Sequence, residues 1–237
     1  MPASAASKFR YRVARNSIVT LHGENLAPIA RTAIPPFLPT SLANTRVKVK
    51  DGAGVERLAP LFFVSPDRIT YLTPAQTSPG VALITVMNGG NTVAQGVASI
   101  AETDPGLFSA DLSGQGYAAA LVLRIRQDGS KVFAPVVSFD VEENRFVAVP
   151  IDLSNEAEQV FLLLSGTGIR NHSGLANLRA KIGSENAEVT FAGAEGILPG
   201  VDQINLRLQP SLRGRGEVSV ELSVDGRAAN TVRIKIK

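Results

Sequence analysis

The chain has 237 residues, 44% hydrophobic but only 5% aromatic, with no cysteine and no tryptophan. That composition excludes a disordered chain, a disulfide scaffold and any thiolate metal centre. A net charge of +3, spread over scattered basic residues, is too weak to neutralise many phosphates, so no nucleic-acid partner is expected.

No 18-residue apolar run is present, so no membrane span is expected. The opening MPASAASKFRYRVARN holds four basic residues and lacks the apolar core of a secretory signal, so either the protein is expected to stay inside or this chain is a segment of a longer one. Residues 18–26, IVTLHGENL, read as a strand entering a corner at Gly23-Glu24-Asn25-Leu26. A Pro-rich loop follows over 27–44, then a strand around Val47-Lys48-Val49 and an Asp51-Gly52 hairpin signal. Strands follow at Asp67–Tyr71, where Tyr71 belongs to the core face, and at Val86–Met87, before Asn88-Gly89. Asp104-Pro105-Gly106 reads as a linker turn. Residues 117–126 and 131–139 form a hairpin around Asp128-Gly129, with a further strand near 145–152. Val160 to Leu164 is a continuous apolar run, as in a central strand buried on both faces. Ile204, Leu206 and Leu208 alternate with polar residues. So do Val218 to Val224 and, beyond Asp225-Gly226, Val232, Ile234 and Ile236. Period 2 puts one face of each strand on a core. No helical stripe competes, so the fold class is all-β with short strands, which points to sandwiches.

The chain also repeats itself. Residues 18–26 match 161–169, with Gly23 on Gly166 and Asn25 on Gly168. Val47–Val49 matches Ala180–Ile182, Asp67–Tyr71 matches Asp202–Leu206, and Val86–Gly89 matches Ser223–Gly226. Four blocks in the same order predict two tandem sandwiches: residues 1–103, and a larger unit over 104–237 with an additional hairpin region at its start.

Little chemistry is visible. His22 and His172 are expected at equivalent corners of separate units, and zinc needs three or four ligands, so no metal site is expected. No nucleophile elbow or phosphate loop occurs. Glu142-Glu143 and the Glu156/Glu158 pair sit in polar text and read as solvated loops. Asp140, Glu142 and Glu143 fall short of calcium-loop spacing. No catalytic residue and no cofactor is expected. Of the three tyrosines, Tyr117 is the one expected to be exposed, and Arg213 and Arg215 occupy a loop. These three are the candidate ligand contacts. Arg170 and Arg227 could gather with Arg213 and Arg215 if their loops share one sandwich end.

The GxNL corner, FFVSPDRITYLTP (62–74), PGLFSA (105–110), GTGIR (166–170), VDQINLRL (201–208) and VDGRAANTVRIKI (224–236) together resemble an uncharacterised C-terminal tandem-domain family of acidobacterial surface and secreted proteins. Each half is similar to an IPT/TIG immunoglobulin-like domain. The chain departs from the family at residues 8–16, where a Pro-Gly turn is usual. The resemblance implies tandem immunoglobulin-like sandwiches in an extracellular or cell-surface protein. It implies a non-catalytic spacer, adhesion or anchoring role and attaches no catalytic residue. The alternative is a module that binds polysaccharide or a protein ligand beside an extracellular enzyme. A monomer is expected.

Overall fold

The computed structural model describes residues 1–7 and 11–237; the start of the divergent 8–16 segment lies outside them. The described chain is built of strands, with two single 3-10 turns at Leu175–Asn177 and Pro210–Leu212.

The first ten strands are β1 (Pro2–Ser4), β2 (Arg12–Ala14), β3 (Ile18–His22), β4 (Arg31–Thr32), β5 (Thr45–Lys50), β6 (Glu56–Leu58), β7 (Leu61–Val64), β8 (Arg68–Leu72), β9 (Gly80–Asn88) and β10 (Asn91–Ala101). They make two five-stranded sheets, ordered β1-β3-β8-β7-β4 and β2-β10-β9-β5-β6. Every neighbouring pair is antiparallel except β2, which runs parallel to β10. The opening strand thus divides between the sheets, and the remaining order is that of an immunoglobulin-like sandwich. Val19, Leu61, Ile69, Tyr71, Ile84 and Val86 fill the space between. Tyr71 is fully buried, as its place in the alternation predicts.

The second set comprises β11 (Gly106–Leu107), β12 (Ala120–Ile125), β13 (Lys131–Pro135), β14 (Val137–Asp140), β15 (Arg145–Ala148), β16 (Gln159–Thr167), β17 (Leu178–Ile182), β18 (Glu185–Ala187), β19 (Val189–Ala194), β20 (Asp202–Arg207), β21 (Gly216–Val224), β22 (Arg227–Ala228) and β23 (Val232–Ile236). One sheet runs β13-β12-β16-β20-β19, with β11 also on β16. The other runs β18-β17-β21-β22, with β23 also on β21. A separate core of Leu162, Leu164, Ile204, Leu206, Val220 and Ile234 lies between them. Each such side chain contributes roughly 1.5–3 kcal/mol by leaving water.

The duplicated blocks occupy equivalent strands. Val19 faces Tyr71 across β3 and β8, and their matches Leu162 and Leu206 face each other across β16 and β20. The last block slips by one residue. Its two-residue loops are Gly89-Gly90, between Asn88 and Asn91, and Asp225-Gly226, between Val224 and Arg227. All four loop residues have positive φ, from 49° to 93°, the type I′ geometry that suits strand twist. Asn88 therefore ends its strand and corresponds to Val224. The Asp51-Gly52 and Asp128-Gly129 signals also join paired strands, through longer loops.

Two expectations need correction. The Val160–Leu164 run is buried on one face only: Val160, Leu162 and Leu164 point into the core, while Phe161 and Leu163 stay half-exposed. β16 is central within its sheet, but no second layer of the described residues lies on its outer side. The strand expected near 145–152 is shorter and pairs with β14 in a hairpin of its own, in which Phe139 and Phe146 meet edge to face at 5.2 Å. The final strand β23 is also gripped by two parallel contacts from distant segments, at Tyr117 and at Ile151. There Ala118 N–H donates to Arg233 O and Lys237 N–H to Ile151 O, both at 2.9 Å.

Candidate functional site: the junction between the sandwiches

Asp104-Pro105-Gly106 is no exposed linker. Residues 103–107 are all buried, because the second sandwich's corner closes directly onto them. Asp104 N–H donates to Gly168 O at 3.0 Å, and the Asp104 carboxylate accepts from Arg12 Nε at 2.6 Å. Arg12 lies on β2 of the first sandwich. Arg227, at the last hairpin of the second, donates to Thr103 O at 2.7 Å. Asn171 adds a contact to Arg15 O at 3.2 Å. Thr167 joins the two bodies through one hydroxyl, which accepts the Ile18 N–H at 2.9 Å and donates to Gly200 O at 2.7 Å.

Two glycines make this approach possible. Gly168 has φ +76°, and a Cβ there would lie 2.3 Å from Asp104 O. Gly200, also at φ +76°, would drive a Cβ to 2.6 Å from both Ile18 Cγ1 and Leu72 Cδ1. Such distances are inside van der Waals contact, so a side chain at Gly168 would displace the Asp104 backbone, and one at Gly200 would push aside the Ile18 and Leu72 side chains of the first sandwich.

The charges at the joint are set by burial. Burial pushes the Asp104 carboxyl above its ordinary value, against the pull of Arg12 and, more weakly, Arg227. Its Oδ2 is buried with no hydrogen-bond partner among the described residues. Burial likewise raises Asp202, while Arg170 opposes it. Asp202 accepts the Ile169 N–H at 2.7 Å and Arg170 Nε at 2.6 Å, which fixes the corner that carries Gly168. The sequence marked the corner but not its role. The visible sign was that the second copy puts Gly168 where the first has Asn25.

The candidate ligand contacts lie elsewhere and are engaged within the fold. Tyr117 is half-buried; its hydroxyl donates to Glu217 at 2.7 Å and Arg233 lies over its ring at 5.6 Å. The hydrogen bond to Glu217 raises the phenol above its ordinary value. Arg213 reaches Leu153 O at 2.9 Å and Glu156 at 3.3 Å, and Arg215 pairs with Glu185 at 2.8 Å. Arg170 and Arg227 serve the junction, whereas Arg213 and Arg215 flank Gly214, whose N–H donates to Lys237 O. The four arginines do not form one patch, because the loop before β21 opens at the sandwich end opposite the corner after β16.

His22 ends β3 in an exposed position. His172 Nδ1 accepts the Gly174 N–H at 3.1 Å, so Nε2 carries the proton and donates to Ala192 O at 3.1 Å. Glu142 and Glu143 sit at the exposed β14–β15 tip, where both N–H groups donate to Asp140. Glu158 pairs with Arg124. Among the described residues no three His, Asp or Glu side chains converge as a metal cluster, and no helix is long and apolar enough to cross a membrane.

No family model matches this chain, and no curated protein matches it. Among solved structures it is similar to domains 5–6 of the S-layer protein SbsC, at 10% identity and TM-score 0.25 over 100% of this chain and 95% of that one. A tetra-tandem repeat from the extending region of a large adhesion protein is similar at 11% identity and TM-score 0.21, over 95% and 74%. A titin tandem of immunoglobulin domains is similar at 10% identity and TM-score 0.22, over 100% and 94%. Similarity this loose bears on no functional conclusion.

Proposed function

We propose that this chain is a non-catalytic spacer, a rigid pair of IPT/TIG-type sandwiches that holds other parts of a surface or secreted protein at fixed distance and angle. The observation that carries this reading is the junction, where Gly168 and Gly200 let two cores dock through buried polar contacts in place of a free linker. A flexible tether would instead show an exposed polar stretch. The proposal includes two domains, 1–103 and 104–237, an extracellular location and a monomeric state. It also places the chain with the acidobacterial family it resembles.

Small-angle X-ray scattering tests the rod. The expected profile fits one rigid two-sandwich body and a monomer mass. A broad ensemble of inter-sandwich angles overturns the spacer reading. A fragment covering 104–237 is expected to fold, with lowered stability because its corner loses the Asp104–Arg12 pair. An unfolded fragment overturns the two-domain division. Export is tested by fractionating cells that make the chain from its native locus.

A further inference from the structure

We propose that the outer face of the β13-β12-β16-β20-β19 sheet is a binding platform for a linear polysaccharide of pyranose rings. The inference goes beyond the spacer reading and does not depend on it.

The pairing register places the face in rows across the strands. One row is Phe133, Leu123, Phe161 and Arg207; the next is Pro135, Leu121, Leu163, Asn205 and Phe191. All of these side chains point away from the core, since Val122, Leu162, Ile204 and Ala192 take the inward positions. Leu121 is 44% exposed, Phe133 56% and Phe191 39%. Gly193 leaves room beside it for the Phe191 ring, 3.1 Å from where its Cβ would lie.

Phe133 and Phe161 stand two strands apart in one row, about 9–10 Å at ordinary strand spacing, and Phe191 lies two strands beyond Phe161 in the neighbouring row. Three phenyl rings spaced along this face, two in one row and the third in the next, offer stacking faces for alternate rings of an extended sugar chain. Amides adjoin them. Gln203 donates to Asn205 at 2.7 Å, which leaves one Gln203 N–H, its carbonyl and the Asn205 amino group free for hydroxyls. Gln159 lies on the same face beside Phe161.

The dimensions favour a narrow ligand over a protein. Two largely apolar rows across five strands cover on the order of 300 Å². A standard protein interface needs about 800 Å² per partner, so a second copy gains too little here. The equivalent face of the first sandwich lacks the platform. Thr20 stands where the second copy has Leu163 and bonds Thr70, which stands where the second copy has Asn205.

The test is retention of the full chain on insoluble cellulose, chitin and xylan, with affinity electrophoresis in soluble hydroxyethylcellulose and polygalacturonate. Expected is binding to at least one of these, weakened about tenfold by Phe133→Ala or Phe191→Ala. Both residues are on edge strands, and unchanged melting curves establish that the variants fold. Phe37→Ala removes a phenyl that is 87% exposed but outside the rows, and is expected to leave binding unchanged. Gln203→Ala is expected to weaken binding less than either phenylalanine. No retention on any of the five polysaccharides overturns the proposal, as does binding that survives both phenylalanine variants. A concentration-dependent dimer abolished by Phe133→Ala also overturns it and assigns the face to self-association.

Discussion

The same corner appears twice in this molecule, and its two settings differ. After β3, Gly23-Glu24-Asn25-Leu26 turns in water, with Asn25 exposed at φ +54°. After β16, Gly166-Thr167-Gly168-Ile169 turns inside the junction, with Gly168 buried at φ +76°. Asparagine tolerates this backbone region, so the turn itself does not demand glycine. The neighbour does, because Asp104 O occupies the space a Cβ would need. The second corner is fitted to the junction segment that closes over it and the first is not.

The largest expected effect tests that difference directly. Gly168→Ala should cost about 3 kcal/mol in urea unfolding, from left-handed strain plus the collision with Asp104. Asn25→Gly should stay within about 0.5 kcal/mol. Equal costs for the two would break the comparison.

Next in size is the ion pair at the joint. Arg12→Ala strands the buried Asp104 carboxylate and should cost about 2 kcal/mol. Arg15→Ala, which removes a more exposed pair to Glu102 three residues beyond Arg12, should cost under about 0.5 kcal/mol by the same measurement. A matching loss at Arg15 would mean that the joint is held by general charge rather than by its buried pair.

A smaller effect contrasts the two cores. Tyr71 and Leu206 hold equivalent positions, yet the Tyr71 hydroxyl is buried with no hydrogen-bond partner among the described residues. Tyr71→Phe should leave stability unchanged or raise it by up to about 1 kcal/mol. A clear loss would reveal a hydrogen bond to the hydroxyl.

The smallest effect separates loop carboxylates from junction carboxylates by pH. The Ser78 N–H, with Val55 N–H and Arg57, holds Asp51 below its ordinary value of 3.8. The Ser65 hydroxyl does the same for Asp67, and the Tyr117 hydroxyl for Glu217. These groups add stability that is present above their unfolded values and lost as pH falls through the folded ones. Asp104 and Asp202 are raised, so protonating them on acidification favours the folded state. Urea midpoints from pH 7 to pH 3 should show a shallower acid loss for Asp51→Asn and a steeper one for Asp104→Asn. The reverse order would contradict the assigned burial of Asp104.

Much of the architecture was legible because it is local. Alternation such as Val218-Ser219-Val220 names a strand and its inner face, and the four repeated blocks gave the strand equivalences before any contact was known. The one-residue slip at Asn88 arose because Asn-Gly and Asp-Gly look alike in sequence, whereas hairpin geometry counts from the pairing, where Gly89-Gly90 forms the loop. What stayed illegible depends on distant segments. The run Val160–Leu164 cannot report that no layer covers its outer side. Asp104-Pro105-Gly106 cannot report that Gly168 and Arg12 close over it. Tyr117, Arg213 and Arg215 looked free because their partners Glu217, Glu156 and Glu185 lie far away or carry no motif.

The double grip on β23 has a mechanical consequence. Tension applied at Lys237 runs along this strand, past its ladder to β21 and its two parallel contacts at Tyr117 and Ile151. A pull directed along the strand axis loads those hydrogen bonds side by side, in shear, and they share it. The final strand is thus held at both edges against an axial pull.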